Sequence, residues 1–452
     1  MPRRWAIRWA ILGAAAFGVG IGALLWSVRP KGFDAAGLNI DPRARIDPQR
    51  PYEIIVWEEI IPAPWAVQSQ AEAVEAAIRA FREQHPNVRV TYALIDPDTA
   101  RERLSDAVAS GQPPDVYGSA KGLIVHPSLQ IPAGPYIPPV RGEEPPLFHP
   151  AAVDALTKSG IVWGWPRGLW WNGWLVAIDA WDRVAGEAGS GWTWDRMREW
   201  AGEELARGRH PVMLNAADVT TLESLVMNAG SPGYRSGADA PGWTEASVAK
   251  AAGFLEQLRS LPAMPSDPDR MSRTRIESLI GGRAAAIGPV RPHLAQAVFR
   301  RQPGRFVLAP WPHDAGSDPV TPVEVGGYFV FRQSTYKGDD HTRTAMELAD
   351  FLAARSDRWL ASQLGVLPAR PAHLPEWQDQ APLDARSREA LAALWPRARP
   401  VSAGLEQREL DALRERLRST WQAFWDERMP AEEFAQKVIT ALDPAVWPGA
   451  GP

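Results

Sequence analysis

A chain of 452 residues with 45% hydrophobic and 23% charged residues is long enough for two or three domains with well-filled cores. Its formal net charge of −4 leaves no basic excess to neutralise phosphates, which argues against a nucleic-acid partner. The absence of cysteine excludes disulfides, thiolate metal sites, cysteine nucleophiles and a lipid-modified N-terminal cysteine together.

Residues 9–28 carry no charge, and ~20 residues at a helical rise of 1.5 Å span roughly the 30 Å of a bilayer core. Arg3, Arg4 and Arg8 precede them, so the positive-inside rule puts residues 1–8 in the cytoplasm and the rest of the chain outside. The competing reading is a cleaved signal, which would leave a secreted protein. The run ends in Leu24, Leu25 and Trp26, not in the small residues a cleavage site needs, which favours a retained transmembrane anchor. Residues 29–50, rich in Pro, Asp and Arg, read as a polar linker.

The apolar run Glu53-Ile54-Ile55-Val56-Trp57 predicts a strand buried on both faces. Ala71, Val74, Ile78 and Phe81 recur at helical spacing up to the stop at His85-Pro86. Val88, Val90, Tyr92 and Leu94 then alternate with Arg89, Thr91 and Ala93, in strand period. Thr99 and Glu102 fit a capping box for a helix ending at Gly111, and Asp115-Val116-Tyr117 restarts a strand. This β-α-β-α-β order implies parallel strands with right-handed crossovers. Helices follow: one capped by Thr193 and carrying Trp194, Met197, Trp200 and Leu205, one marked by Leu222, Leu225 and Val226, and one over 248–258. Strands return at 284–287, 306–308 and 327–331, and the chain closes with helices over 345–362, through Leu410, Leu413, Leu417, Trp421 and Phe424, and through Phe434, Val438 and Leu442.

Motifs of catalysis are missing. The eight histidines show no metal-ligand spacing, and there is no Gly-x-Ser-x-Gly elbow and no phosphate loop. Asp96-Pro97-Asp98 and Asp267-Pro268-Asp269 suit turns better than a calcium loop. The reading is therefore a protein that is not an enzyme and needs no metal or cofactor.

Four segments, taken in order, carry a resemblance. They are EIIVW with AIRAFREQHPNVRV and SDAVASGQPPDVYGS; SGWTWDRMREWAGEEL; IESLIGGRAAAIGP with FVLAPWP and VEVGGYFVF; and AMELADFLAARSDRWLASQLGVLPARPA with the closing helices. Over residues 51–442 the chain resembles the family 1 extracellular solute-binding proteins of bacterial ABC importers, the maltodextrin- and glycerol-phosphate-binding type. The resemblance implies an α/β, two-lobed, periplasmic-binding-protein-like fold of type II with a ligand cleft between the lobes, preceded in this chain by the one N-terminal transmembrane helix read from residues 9–28. Lobe one would comprise 51–167 and 289–326, and lobe two 168–288 and 327–452, with Gly168, Gly288 and Gly327 at hinge crossings. It also implies a monomer that captures a small polar solute, a carbohydrate or polyol derivative, by lobe closure and delivers it to ABC permease subunits. The alternatives are a membrane-tethered carbohydrate-active hydrolase using Glu58 or Glu59, and a sensor that keeps the binding fold without transport.

Site residues follow from strand ends, where α/β sheets bind ligands. Trp57, Glu58 and Glu59 end the first strand, and Ser119 and Lys121 the third; each has the plainer reading of core or solvated lip. The segment Trp163 to Trp174 is the strongest local signal among the 22 tryptophans, because indole faces suit the C–H faces of a sugar ring. On one unbroken strand Trp170, Asn172 and Trp174 share a face, with Trp171 on the other. The competing role is packing between lobes. Asn215 ends the run Val212-Met213-Leu214. Arg291 follows Gly288-Pro289-Val290, where many family members carry an aromatic residue directly after Gly-Pro; it would hold an anionic ligand or pair with a neighbouring carboxylate. Tyr328 completes the set.

Overall fold

The structure is a computed structural model that describes residues 33–443 except 36–37, 62, 141, 143, 185–191, 215–217, 236–241, 261–270 and 427. The expected membrane span at 9–28 lies outside the described residues, and among those described no helix is long and apolar enough to cross a membrane.

The first sheet begins as expected. Strand β1 (Tyr52–Glu59) pairs in parallel with β2 (Val88–Ile95) and with β3 (Val116–Ser119). Helix α1 (Val67–Gln84) connects β1 to β2, burying Gln70, Val74, Ala77, Ile78 and Phe81 along one stripe. The second connection, α2 (Pro97–Ala109), is capped by Asp96, whose side chain accepts from the Asp98 N–H; Thr99 is not the cap. Asp96 wins because Pro97 fits the first helical position and has no N–H to leave unpaired. β1 is not buried on both faces either. Ile55 is 43% exposed, so one side of the sheet is open there.

Strand β4 (Trp165–Trp171) runs antiparallel to the long β9 (Thr321–Phe331), which in turn pairs with β3 and, in parallel, with β10 (Ala398–Pro400). The second sheet contains β5 (Gly173–Ala177), β6 (His210–Leu214), β7 (Ala284–Val290) and β8 (Phe306–Ala309) in the order β6-β7-β5-β8. Around it pack α3 (Trp194–Ala206), α4 (Val219–Asn228) and α5 (Glu245–Ser260); α6 (Pro292–Arg301) links β7 to β8. The Thr193 side chain accepts from Arg196 N and caps α3 as the spacing predicts. Helix α7 (Asp339–Leu364) lies against α1, β4 and β9, and the last two helices, α8 (Gln407–Asp426) and α9 (Ala431–Leu442), pack on each other and reach α4 and α5.

The lobe boundaries therefore differ from the expected ones. β8 was assigned to lobe one but pairs with β5 in the second sheet, while residues 327–331 and α7, assigned to lobe two, complete the first. The three expected hinge glycines sit within strands, not at crossings. Gly168 (φ +59°) makes a bulge in β4 where the β9 register shifts, and its N–H is pinned 2.9 Å from the buried Asp357 carboxylate. A Cβ on Gly288 would lie 2.8 Å from the Trp174 ring, and one on Gly327 2.8 Å from Leu156. These two glycines serve close packing. The chain passes between the sheets at Asn172, and again between β8 and β9.

Candidate functional site

A cleft of about 400 Å³ opens between the two sheets, a volume suited to a small molecule. Its first wall is built from strand ends and the turns beyond them: Glu59 closes β1, Lys121 lies just past β3, and Asp98 and Arg101 stand in the first turns of α2. Its floor is the crossing Trp170-Trp171-Asn172, with Glu324 of β9 beside it. The opposite wall holds Thr220 of α4, Arg291, Pro292 and His293 between β7 and α6, and Asp411 and Arg414 of α8.

Of the sequence-predicted residues, Glu59, Lys121, Trp170, Trp171, Asn172 and Arg291 line this cleft. Glu59 is held rigidly: its carboxylate accepts from Tyr117 Oη at 2.6 Å, Ala120 N at 2.7 Å and Ser119 Oγ at 3.1 Å. Trp170 is partly buried, backed by Ile61, Ala63, Leu360, Leu364 and Val366. The Trp171 ring is buried, and its Nε1 donates to Gly365 O at 2.9 Å. Asn172 Oδ1 accepts from Trp311 Nε1 at 2.6 Å and from Ser224 Oγ at 3.1 Å, which leaves its amide nitrogen without a bond among the described residues.

Five others do not reach it. Trp57 packs against the core under Arg103, whose guanidinium lies 5.4 Å from its ring. Glu58 is sealed in an ion pair with the fully buried Arg167, which also donates to Tyr328 Oη and Ser119 O, both at 3.0 Å. Tyr328 is thus a structural partner of Arg167, whose guanidinium stacks 4.7 Å from its ring. Ser119 is buried beneath Glu59. Trp174 is core, edge-on to Trp311 at 5.5 Å. Strand alternation fails here because β4 ends at Trp171 and β5 starts at Gly173 in the other sheet, so the two segments do not share a face. Asn215 lies outside the described residues.

Thr220, His293, Glu324, Asp411, Arg101 and Arg414 were not foreseen. Two left a trace in the sequence: Glu324 interrupts the apolar run of β9, and Arg414 falls next to the apolar stripe of Leu410, Leu413 and Leu417. Arg414 donates two bonds of 2.7 Å to Glu223 of α4 and one of 2.8 Å to Glu324, so it ties the two lobes together. Burial pushes the Glu324 carboxyl up, but Lys121, Arg414 and Arg291 together outweigh it and hold it well below the ordinary carboxylate range. Burial, then Arg291 and Lys121, push His293 down to about 4. Among the described residues, three polar atoms on the cleft wall are buried without a hydrogen-bond partner: Thr220 Oγ1, Trp170 Nε1 and His293 Nδ1. Buried polar groups are usually paired, so this convergence marks a place for a polar guest.

The model of a family described as bacterial extracellular solute-binding protein matches residues 66–357. No curated protein sequence matches the chain. Among solved structures, the sugar-binding protein MalE from the phytopathogen Xanthomonas citri superposes with a TM-score of 0.69 at 17% identity, covering 86% of this chain and 97% of its own. The GacH receptor of Streptomyces glaucescens, solved unliganded and with acarbose, gives 0.62 at 14% identity, covering 87% and 98%. An ABC substrate-binding protein from Listeria monocytogenes, in complex with cycloalternan, gives 0.61 at 15% identity with the same coverage. At these identities the likeness is one of fold.

Proposed function

Because the chain belongs to the bacterial extracellular solute-binding proteins, we propose that it captures a small polar solute, a carbohydrate or polyol derivative, and delivers it to the permease of an ABC importer. The observation that carries this reading is the cleft between the lobes, with one indole face at Trp170 and unpaired donors and acceptors at Thr220, Asn172 and His293 around it. Stacking on Trp170 would supply apolar contact, and the unpaired groups would take the solute's hydroxyls. Neighbours of the same fold are described with acarbose and with cycloalternan, which supports the carbohydrate class. Closure would follow from the solute's greater affinity for the state in which both walls touch it.

In the same reading, the N-terminal apolar segment tethers a monomeric receptor beside its permease, with the binding domain outside the cell. A hydrolase fits the site less well. Glu58 is neutralised inside the fold, and Glu59 has its oxygens committed to three donors.

Thermal shift against a panel of sugars and polyols tests the proposal. At least one solute should raise the melting temperature, with no product formed, and the rise should shrink in Trp170→Ala. A panel without any response would sink it, and accumulation of product would favour the hydrolase.

A further inference from the structure

Resting on that reading, we propose that Trp311 is a positioning residue, whose indole N–H fixes the Asn172 amide as a one-way donor to the solute. An indole nitrogen can only donate. Trp311 Nε1 stands 2.6 Å from Asn172 Oδ1, so the amide must turn its oxygen to the indole. The reversed amide would set N–H against N–H and is excluded. The other arm of the amide, Nδ2, carries hydrogens that no described residue accepts, on a side chain that lines the cleft. Toward a solute, Asn172 therefore offers a donor and no acceptor. Ser224 Oγ lies 3.1 Å from the same oxygen, but its single proton is also drawn by Thr220 O at 2.8 Å. The indole is the steady partner.

Trp311 is itself held firmly. It is 1% exposed, sits between Pro310 and Pro312, and meets Trp174 edge-on at 5.5 Å. Beside it, Trp194 Nε1 donates to Pro312 O at 2.8 Å and Trp194 N to His313 O at 2.9 Å. The ring does not line the cleft, so it reaches the solute only through Asn172. Asn172 lies where the chain first passes between the sheets, and Trp311 lies in the second passage, between β8 and β9. Their bond joins the two passages, so the donor is aimed by the hinge and not by either wall. A donor set in advance loses less freedom on binding than an amide free to turn.

A double-mutant cycle on binding separates aiming from packing. The purified full chain is titrated calorimetrically with maltose, trehalose, glucose, xylose, sorbitol and glycerol, and the tightest of these is carried through the cycle. Asn172→Ala should weaken it about ten-fold or more, as expected for a lost hydrogen bond. Trp311→Phe keeps a ring against Trp174 but loses the N–H, and should weaken it about three-fold or more. Added to Asn172→Ala, Trp311→Phe should cost less than about two-fold further, because its effect passes through the amide. A ring that only packs would lower affinity equally in both backgrounds. That result, or an unchanged affinity in Trp311→Phe, overturns the inference and leaves solute capture standing. If Trp311→Phe does not fold, 3-benzothienylalanine at position 311 repeats the cycle, exchanging N–H for sulfur within the same ring outline. If no probe binds, the capture reading and this inference fall together.

Discussion

Arg101 of α2 and Asp411 of α8 meet at 2.7 Å across the mouth of the cleft, one from each wall, and both side chains are 46% exposed. Exposed pairs stabilise a fold by less than about 1 kcal/mol, so this contact contributes little to folding. Its effect falls on the balance between open and closed lobes, where 1 kcal/mol changes a population about five-fold. Arg101→Gln should leave the denaturation midpoint nearly unmoved, yet enlarge the radius of gyration of the unliganded chain in solution scattering. No change in size would show that the pair does not govern closure.

The indoles of the crossing segment divide into two kinds. Trp170→Ala should weaken solute binding by ten-fold or more while costing under about 2 kcal/mol of stability, because the ring is only partly buried. Trp174→Ala removes a fully buried ring wedged against Trp311 and Gly288, and should cost about 3–5 kcal/mol in chemical denaturation. Equal stability losses for the two would contradict the placement.

Arg414 joins Glu223 of one lobe to Glu324 of the other. Replacing it with Met strands Glu223, which is 1% exposed, and should cost about 3–5 kcal/mol. Adding Glu223→Gln to that variant removes the stranded charge and should recover much of the loss. A double-mutant cycle on unfolding free energies reads the coupling directly.

Acid should weaken the fold through His149. Its Nδ1 accepts from Ala151 N at 3.1 Å at the start of a short helix, and burial pushes its pKa down to about 4. The neutral ring is the form that folding favours. Stability is thus fully present above the unfolded value of about 6.5 and is lost as pH falls toward the folded value, by roughly 2 kcal/mol. His149→Asn keeps a capping acceptor without the titration, so urea midpoints at pH 7 and pH 4.5 should differ less for that variant than for the parent.

Gly118 sits where β3 passes the buried pair of Glu58 and Arg167. A Cβ there would fall 2.0 Å from Glu58 Oε2 and 2.7 Å from Tyr328 Cε1. Gly118→Ala should therefore displace the buried pair and lower stability by more than about 2 kcal/mol in denaturant titration, with the wild-type midpoint as the outcome that refutes it.

Much of the element order was legible because its signals are local. The stripe of Val74, Ile78 and Phe81, the alternation of β2 and the Thr193 cap each need only a few neighbouring residues to be read. The lobe boundaries were not legible, since nothing in the residues of β8 or β9 says which sheet each will join. The site was half legible for the same reason. Strand ends pointed to Glu59 and Lys121, and the indole cluster to Trp170. Strand period carried past Asn172 misplaced Trp174, because a change of sheet resets which face a residue takes. Glu58 and Tyr328 went wrong because their partner, Arg167, became their neighbour only through folding. Arg414 and Glu324 meet from positions far apart in the chain and share no motif.

The pairing of Tyr328 with Gly118 sets the timing of assembly. A chain appearing from its N-terminus at roughly 5–20 residues per second exposes β1, β2 and β3 for about 10–40 s before β9 arrives to cover the edge of β3. The second sheet is finished once Ala309 has emerged, whereas the first waits for Pro400. During that interval the unpaired edge of β3 is a template for any other extended chain nearby. The closing of the first sheet is therefore left to the C-terminal third of the chain, which carries the strands that cover the earlier edge.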